Sequence, residues 1–126
     1  MMYNQISHTA DLAYEIVFED LEDLFGDIIS IMEENAEFEK SNENKIEVYR
    51  IDGGLEDFIF DTVNDMISNV EMGWFPTRVD VKGDELIVEF SRLKSLNKFD
   101  IKALTYHMLK VKDLNGKKIV KVVFDV

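Results

Sequence analysis

Residues 55–70 repeat their apolar side chains at a helical period. Leu55, Ile59, Val63, Met66, Ile67 and Val70 fall on one face. A helix with one apolar face must lay that face on another layer. A second segment has the same need. Leu21, Leu24, Phe25, Ile28 and Met32 form a stripe behind Asp20, a suitable N-cap followed by acids in the first turn. The other apolar segments keep a strand period and supply that layer. Leu12, Tyr14, Ile16 and Phe18 alternate with Ala13, Glu15 and Val17. Residues 45–51 form a short strand closed by Gly53-Gly54. Arg78–Lys82 and Glu85–Phe90 flank the turn signal Gly83-Asp84. Residues 101–111 read as a strand, and Lys118–Val126 returns from the hairpin dipeptide Asn115-Gly116. The polar residues 35–44 read as a loop. The predicted order is β-α-β-α-β-β-β-β. That is an α+β two-layer sandwich, a mostly antiparallel sheet with two helices on one face.

With 126 residues, one proline (Pro76) and no linker or repeat, the chain is expected to form a single domain over residues 1–126. Hydrophobic residues make up 46%, enough for a core without a disulfide or metal staple. There is no cysteine, which excludes disulfides, thiolate nucleophiles and thiolate metal sites. The polar N-terminus lacks a signal-peptide pattern, and no apolar run exceeds three residues. A cytoplasmic protein without a membrane span is expected.

The net charge is −12. Such a chain is poorly suited to grip nucleic acid or an anionic membrane directly. The charge is also uneven. Residues 15–44 carry eleven acids against Lys40 alone, whereas residues 78–126 carry seven acids and eleven bases. This asymmetry either orients a partner during encounter or reflects solubilising helix faces.

Few patterns carry chemistry. Ser7, His8 and Asp11 are too close in sequence to form a triad that converges from separate parts of a fold. His107, within the predicted strand 101–111, reads as a structural histidine. No glycine-rich phosphate loop or calcium-binding loop is present. The acids at the two ends of the chain are more informative. Alternation turns Asp11 away from the core residues of its strand. Val120, Val122, Phe124 and Val126 share one face of the last strand, so Asp125 points to the other. If first and last strands pair, Asp11, Asp125 and the Val126 carboxylate converge. Three carboxylates together call for protonation or for a hard divalent ion such as Ca²⁺ or Mg²⁺. The plainer alternative is two solvated acids at opposite chain ends.

Three short motifs then fall in order. Ser7-His8-Thr9-Ala10-Asp11, Ile101-Lys102-Ala103-Leu104-Thr105-Tyr106-His107 and Val123-Phe124-Asp125-Val126 resemble signatures of the archease family. Asp20–Phe25 and Gly54–Phe58 resemble the starts of its two helices. The resemblance spans essentially the whole chain. It implies a small acidic protein that activates an RtcB-type RNA-splicing ligase. That ligase takes a guanylyl group from GTP onto its own histidine, using Mn²⁺, and joins RNA ends in tRNA splicing and RNA repair. The implied role is accessory: promoting guanylylation and multiple turnover, with no catalysis by the chain itself. The alternative is a chaperone or modulator of another RNA-processing protein, and a metal-dependent hydrolase is a remoter third. The resemblance assigns a divalent ion to Asp11, Asp125 and Val126 and an activity-linked lysine to Lys102. It implies a protein partner and no direct contact with nucleic acid. One departure stands out. Residues 90–100 are short and basic and lack histidine, where the family commonly carries a longer acidic, histidine-containing loop.

Overall fold

Both predicted helices form in the computed structural model, which describes residues 2–6 and 12–126. Helix α1 spans Leu21–Glu34. The Asp20 side chain accepts a hydrogen bond from the Asp23 N–H at 2.8 Å, satisfying one of the amides that a helix start leaves without a partner. Helix α2 spans Leu55–Glu71 and starts from Gly54 without a side-chain cap. Most of each predicted stripe is buried, Leu24, Phe25, Ile28 and Met32 on α1 and Ile59, Val63, Met66, Ile67 and Val70 on α2, while Leu21 and Leu55 at the helix starts are partly buried against the core. Phe25 meets Phe58 edge to face at 5.9 Å, joining the two helices.

The strands are β1 (Tyr3–Ile6), β2 (Leu12–Phe18), β3 (Ala36–Arg50), β4 (Trp74–Lys82), β5 (Glu85–Phe99), β6 (Ala103–Leu104), β7 (Val111–Leu114) and β8 (Lys117–Asp125). Every pairing is antiparallel. The fold class is thus α+β, as the alternation implies, and both turn dipeptides join neighbouring strands. The sheet comes in two parts. One has the order β1-β2-β8-β6, with β7 also on β8, and the other the order β3-β5-β4. Helix α1 packs on β2 and β4, and α2 on β4 and β6, so the helices straddle both sheets. Phe75 and Phe90 from one sheet and Ile16 and Phe124 from the other are fully buried beneath them. Each such side chain contributes about 1.5–3 kcal/mol through burial.

Four segments depart from the predicted order. Residues 3–6 add a strand before the first predicted one. Residues 36–44, predicted as loop, belong to the edge strand β3. Their inward positions carry Ala36 and Phe38, and Phe38 stacks on Phe75 at 4.1 Å. Residues 91–99, in place of a loop, extend β5, whose Phe99 meets Phe75 edge to face. The predicted strand 101–111 forms only as the two-residue β6 and the first residue of β7, with an irregular turn between them.

Candidate functional site

Strand β8 organises the candidate site. It pairs with β2 from Leu12–Phe124 to Phe18–Lys118, so the predicted union of these two strands is present. Its inward residues Val120, Val122 and Phe124 are buried in the core. The alternate residues Ile119, Lys121, Val123 and Asp125 lie on the face away from the helices. Asp125 is exposed there, and Val126 is exposed beyond it.

Lys102 arrives from the opposite side of β8. Its backbone N–H donates to the Asp125 carbonyl at 2.8 Å, and Ala103 pairs with Asp125 in the ladder. Two motif residues more than twenty positions apart are therefore adjacent. The Lys102 side chain is exposed.

A two-residue strand cannot hold this segment by ladder bonds alone. Helix α2 supplies the remainder. The Asn64 side chain works in both directions: its Oδ1 accepts from the Leu104 N–H at 2.7 Å, and its Nδ2 donates to the Leu104 carbonyl at 3.1 Å. It stands in for the strand that β6 lacks on that side. Tyr106 stacks on Phe60 at 4.0 Å and donates its hydroxyl to Asp57. That bond to a carboxylate pushes the Tyr106 phenol up to about 12. Glu56 accepts from the Val111 N–H at 3.0 Å, which holds its carboxyl below its ordinary value. On the β8 side, the Thr105 N–H and hydroxyl both donate to the Val123 carbonyl, at 2.9 and 3.1 Å. His107 is exposed in the turn at 106–108, so it is neither in a strand nor buried as a structural histidine.

Sequence reasoning singled out Lys102 and Asp125, gave Glu56, Asp57 and Tyr106 no role beyond their place in family motifs, and missed Asn64. Their local signal is ordinary: three polar residues on a solvated flank of a helix and a tyrosine in a turn. Only the fold shows that they reach a segment about forty or more positions away. Of the predicted carboxylate set, the structure places Asp125 and Val126 side by side. Asp11, like His8, lies outside the described residues. Among the described residues no three His, Cys, Asp or Glu side chains gather as a metal-binding group. The donors that are placed are carboxylate oxygens, the type that a hard divalent cation takes.

Comparison with known proteins agrees with this layout. The model of the archease protein family matches residues 3–126. The curated protein archease of Thermotoga maritima is 40% identical over 124 residues, which cover 98% of this chain and 99% of the relative. The crystal structure of an archease from Thermotoga maritima, described as a possible chaperone, superposes with a TM-score of 0.84 at 39% identity. That match covers 100% of this chain and 98% of the other. A Methanobacterium thermoautotrophicum protein solved in solution shares the fold, with a TM-score of 0.68 at 19% identity and 98% of each chain covered.

Proposed function

The chain belongs to the archease family, and from that premise we propose that it is an accessory protein that activates an RtcB-type RNA ligase. It promotes guanylylation of the ligase and restores the ligase between turnovers, and it transforms no substrate of its own. One observation carries the reading: the Lys102 N–H bonded to the Asp125 carbonyl, which joins the second and third family motifs at one end of a sheet.

The chemistry follows from charge. Guanylyl transfer moves a phosphoryl group, and its catalysis rests on positioning and charge neutralisation. Lys102 presents an ammonium that can face a phosphate oxygen. Asp125, Asp11 and the Val126 carboxylate would hold a divalent ion, Ca²⁺ or Mg²⁺. Bound there, the ion supplies further positive charge for phosphate or for the ligase's own site. The bonds from Asn64 and Thr105 hold the backbone beside Lys102, so the point from which its side chain extends is set before the partner arrives. No described helix is long and apolar enough to cross a membrane, and a cytoplasmic setting beside the ligase fits the reading.

The test follows the guanylylation step alone. Ligase and labelled GTP are mixed with and without the protein, and covalent label on the ligase is measured over time. Faster labelling is expected, and an unchanged rate would sink the proposal. The second reading, a chaperone or modulator of a different client, is favoured by the description of the Thermotoga maritima structure as a possible chaperone. It predicts unchanged labelling together with suppressed aggregation of that client.

A further inference from the structure

The face of the first sheet turned away from the helices differs from the rest of this acidic molecule. Strand β8 places Ile119, Lys121 and Asp125 on that face. Lys112 of β7 lies opposite Ile119, and Glu15 of β2 opposite Lys121. Met108 and Lys110, from the segment before β7, complete the lining of a depression formed by these residues. Met108 holds a left-handed backbone, φ 60°, and half of its surface is open to solvent. The depression thus combines three ammonium groups, one carboxylate and an apolar floor of Ile119 and Met108 on a chain whose net charge is −12. Lys45, Lys98, Lys117 and Lys118 are each within ion-pair distance of an acid. Among the described residues Lys110, Lys112 and Lys121 have no such partner.

This combination selects among anionic ligands. A nucleic-acid backbone needs a long track of bases, and its phosphates have no use for an apolar floor. A short acidic protein segment fits better. Its carboxylates meet the lysines, and an apolar side chain between them covers Ile119 and Met108. Screening confines the repulsion from the remaining acids to a Debye length of about 8 Å, so the local basic patch decides where such a segment lands. We infer that this depression docks an acidic protein segment that carries an apolar side chain beside its carboxylates. Asp125 lies four residues further along the same face, about 13 Å away at roughly 3.3 Å per residue. A segment seated on the lysines therefore brings its protein against the end of the sheet that holds Lys102 and Asp125. The surface goes beyond the proposed function and does not depend on it: a ligase that fails to respond leaves the docking site as it is.

The probe is a synthetic peptide of alternating glutamate and leucine, added to the isotope-labelled full chain and followed by NMR. Shifts centred on Lys112, Ile119 and Lys121 are expected. They should be lost when glutamine replaces glutamate in the peptide. The double substitution Lys112→Glu/Lys121→Glu should weaken peptide binding about tenfold or more. Should that variant misfold, Lys112→Gln/Lys121→Gln removes the charges without reversing them and should still weaken binding severalfold. Three results would overturn the inference: no shifts at these residues, shifts that survive the substitutions, or an oligouridylate strand that binds there in preference to the peptide. Concentration-dependent self-association through the same residues would overturn it as well, by making a second copy the occupant.

Discussion

The two sheets hold their strands by different means. Strand β5 runs fifteen residues and is laddered on both sides, by β3 and β4. Strand β6 runs two residues on the edge of β8, and its holding is shared between a few bonds to β8 and side chains of α2. The first arrangement is redundant, because many backbone bonds and a shared apolar face fix each residue. The second depends on a few named contacts, each with no substitute nearby. Long ladders make a scaffold. A short segment pinned from a helix can carry an exposed lysine whose backbone is bonded to the end of the last strand.

This contrast predicts that damage to the two regions separates function from stability. The largest effect belongs to the pinned end. Asp125→Asn should bring stimulated ligation down to the level of the ligase alone while the thermal midpoint stays where it was. Stimulation that persists would remove this end of the sheet from the mechanism. The converse belongs to the scaffold. Phe90 is fully buried on β5. Phe90→Ala should cost about 3–5 kcal/mol in a denaturant titration, from lost transfer energy and the cavity left behind. Below its lowered midpoint, that variant should still stimulate.

Asn64→Ala probes the pin itself. It leaves the Leu104 N–H and carbonyl without their partner, at about 1–3 kcal/mol. Hydrogen exchange should speed up at Leu104 and its neighbours and stay unchanged in β5. Equal loosening of both regions would erase the contrast. The smallest effect is set by Glu56. Its folded-state carboxyl lies below its ordinary value of 4.5 because it accepts from the Val111 N–H. A depressed carboxylate stabilises fully above the unfolded value, and that contribution is lost as pH falls through the folded value. Protection of the Val111 amide should therefore drop on acidification below about 4.5, and Glu56→Gln should flatten that dependence. A dependence that survives the substitution would assign the titration to another group.

The sequence shows the scaffold and the site unequally. Period and caps make both helices legible. Gly83-Asp84 and Asn115-Gly116 mark their turns because each glycine takes a left-handed φ, 60° and 86°. The pairing of β2 with β8 follows from their alternating faces. Residues 36–44 escape because an edge strand needs few apolar residues, and register shifts around Phe38 and Lys40 break the alternation that remains. Residues 101–111 mislead for the opposite reason. Ile101, Leu104 and Leu109 are buried, but at spacings of an irregular segment draped over α2. Lys102 and Asp125 stand out by their family motifs. Nothing local marks Asn64, since a helix surface asparagine gives no sign of the backbone it will meet forty residues later.

One measurement goes to the centre of this account: multiple-turnover joining of excess RNA by an RtcB-type ligase with GTP. It is run with no addition, with the wild-type protein, and with Asp11→Ala. The prediction is that the wild type raises turnover well above the ligase alone and that the variant, equally folded, does not. Turnover that is indifferent to the wild-type protein, or raised equally by the variant, would contradict the account.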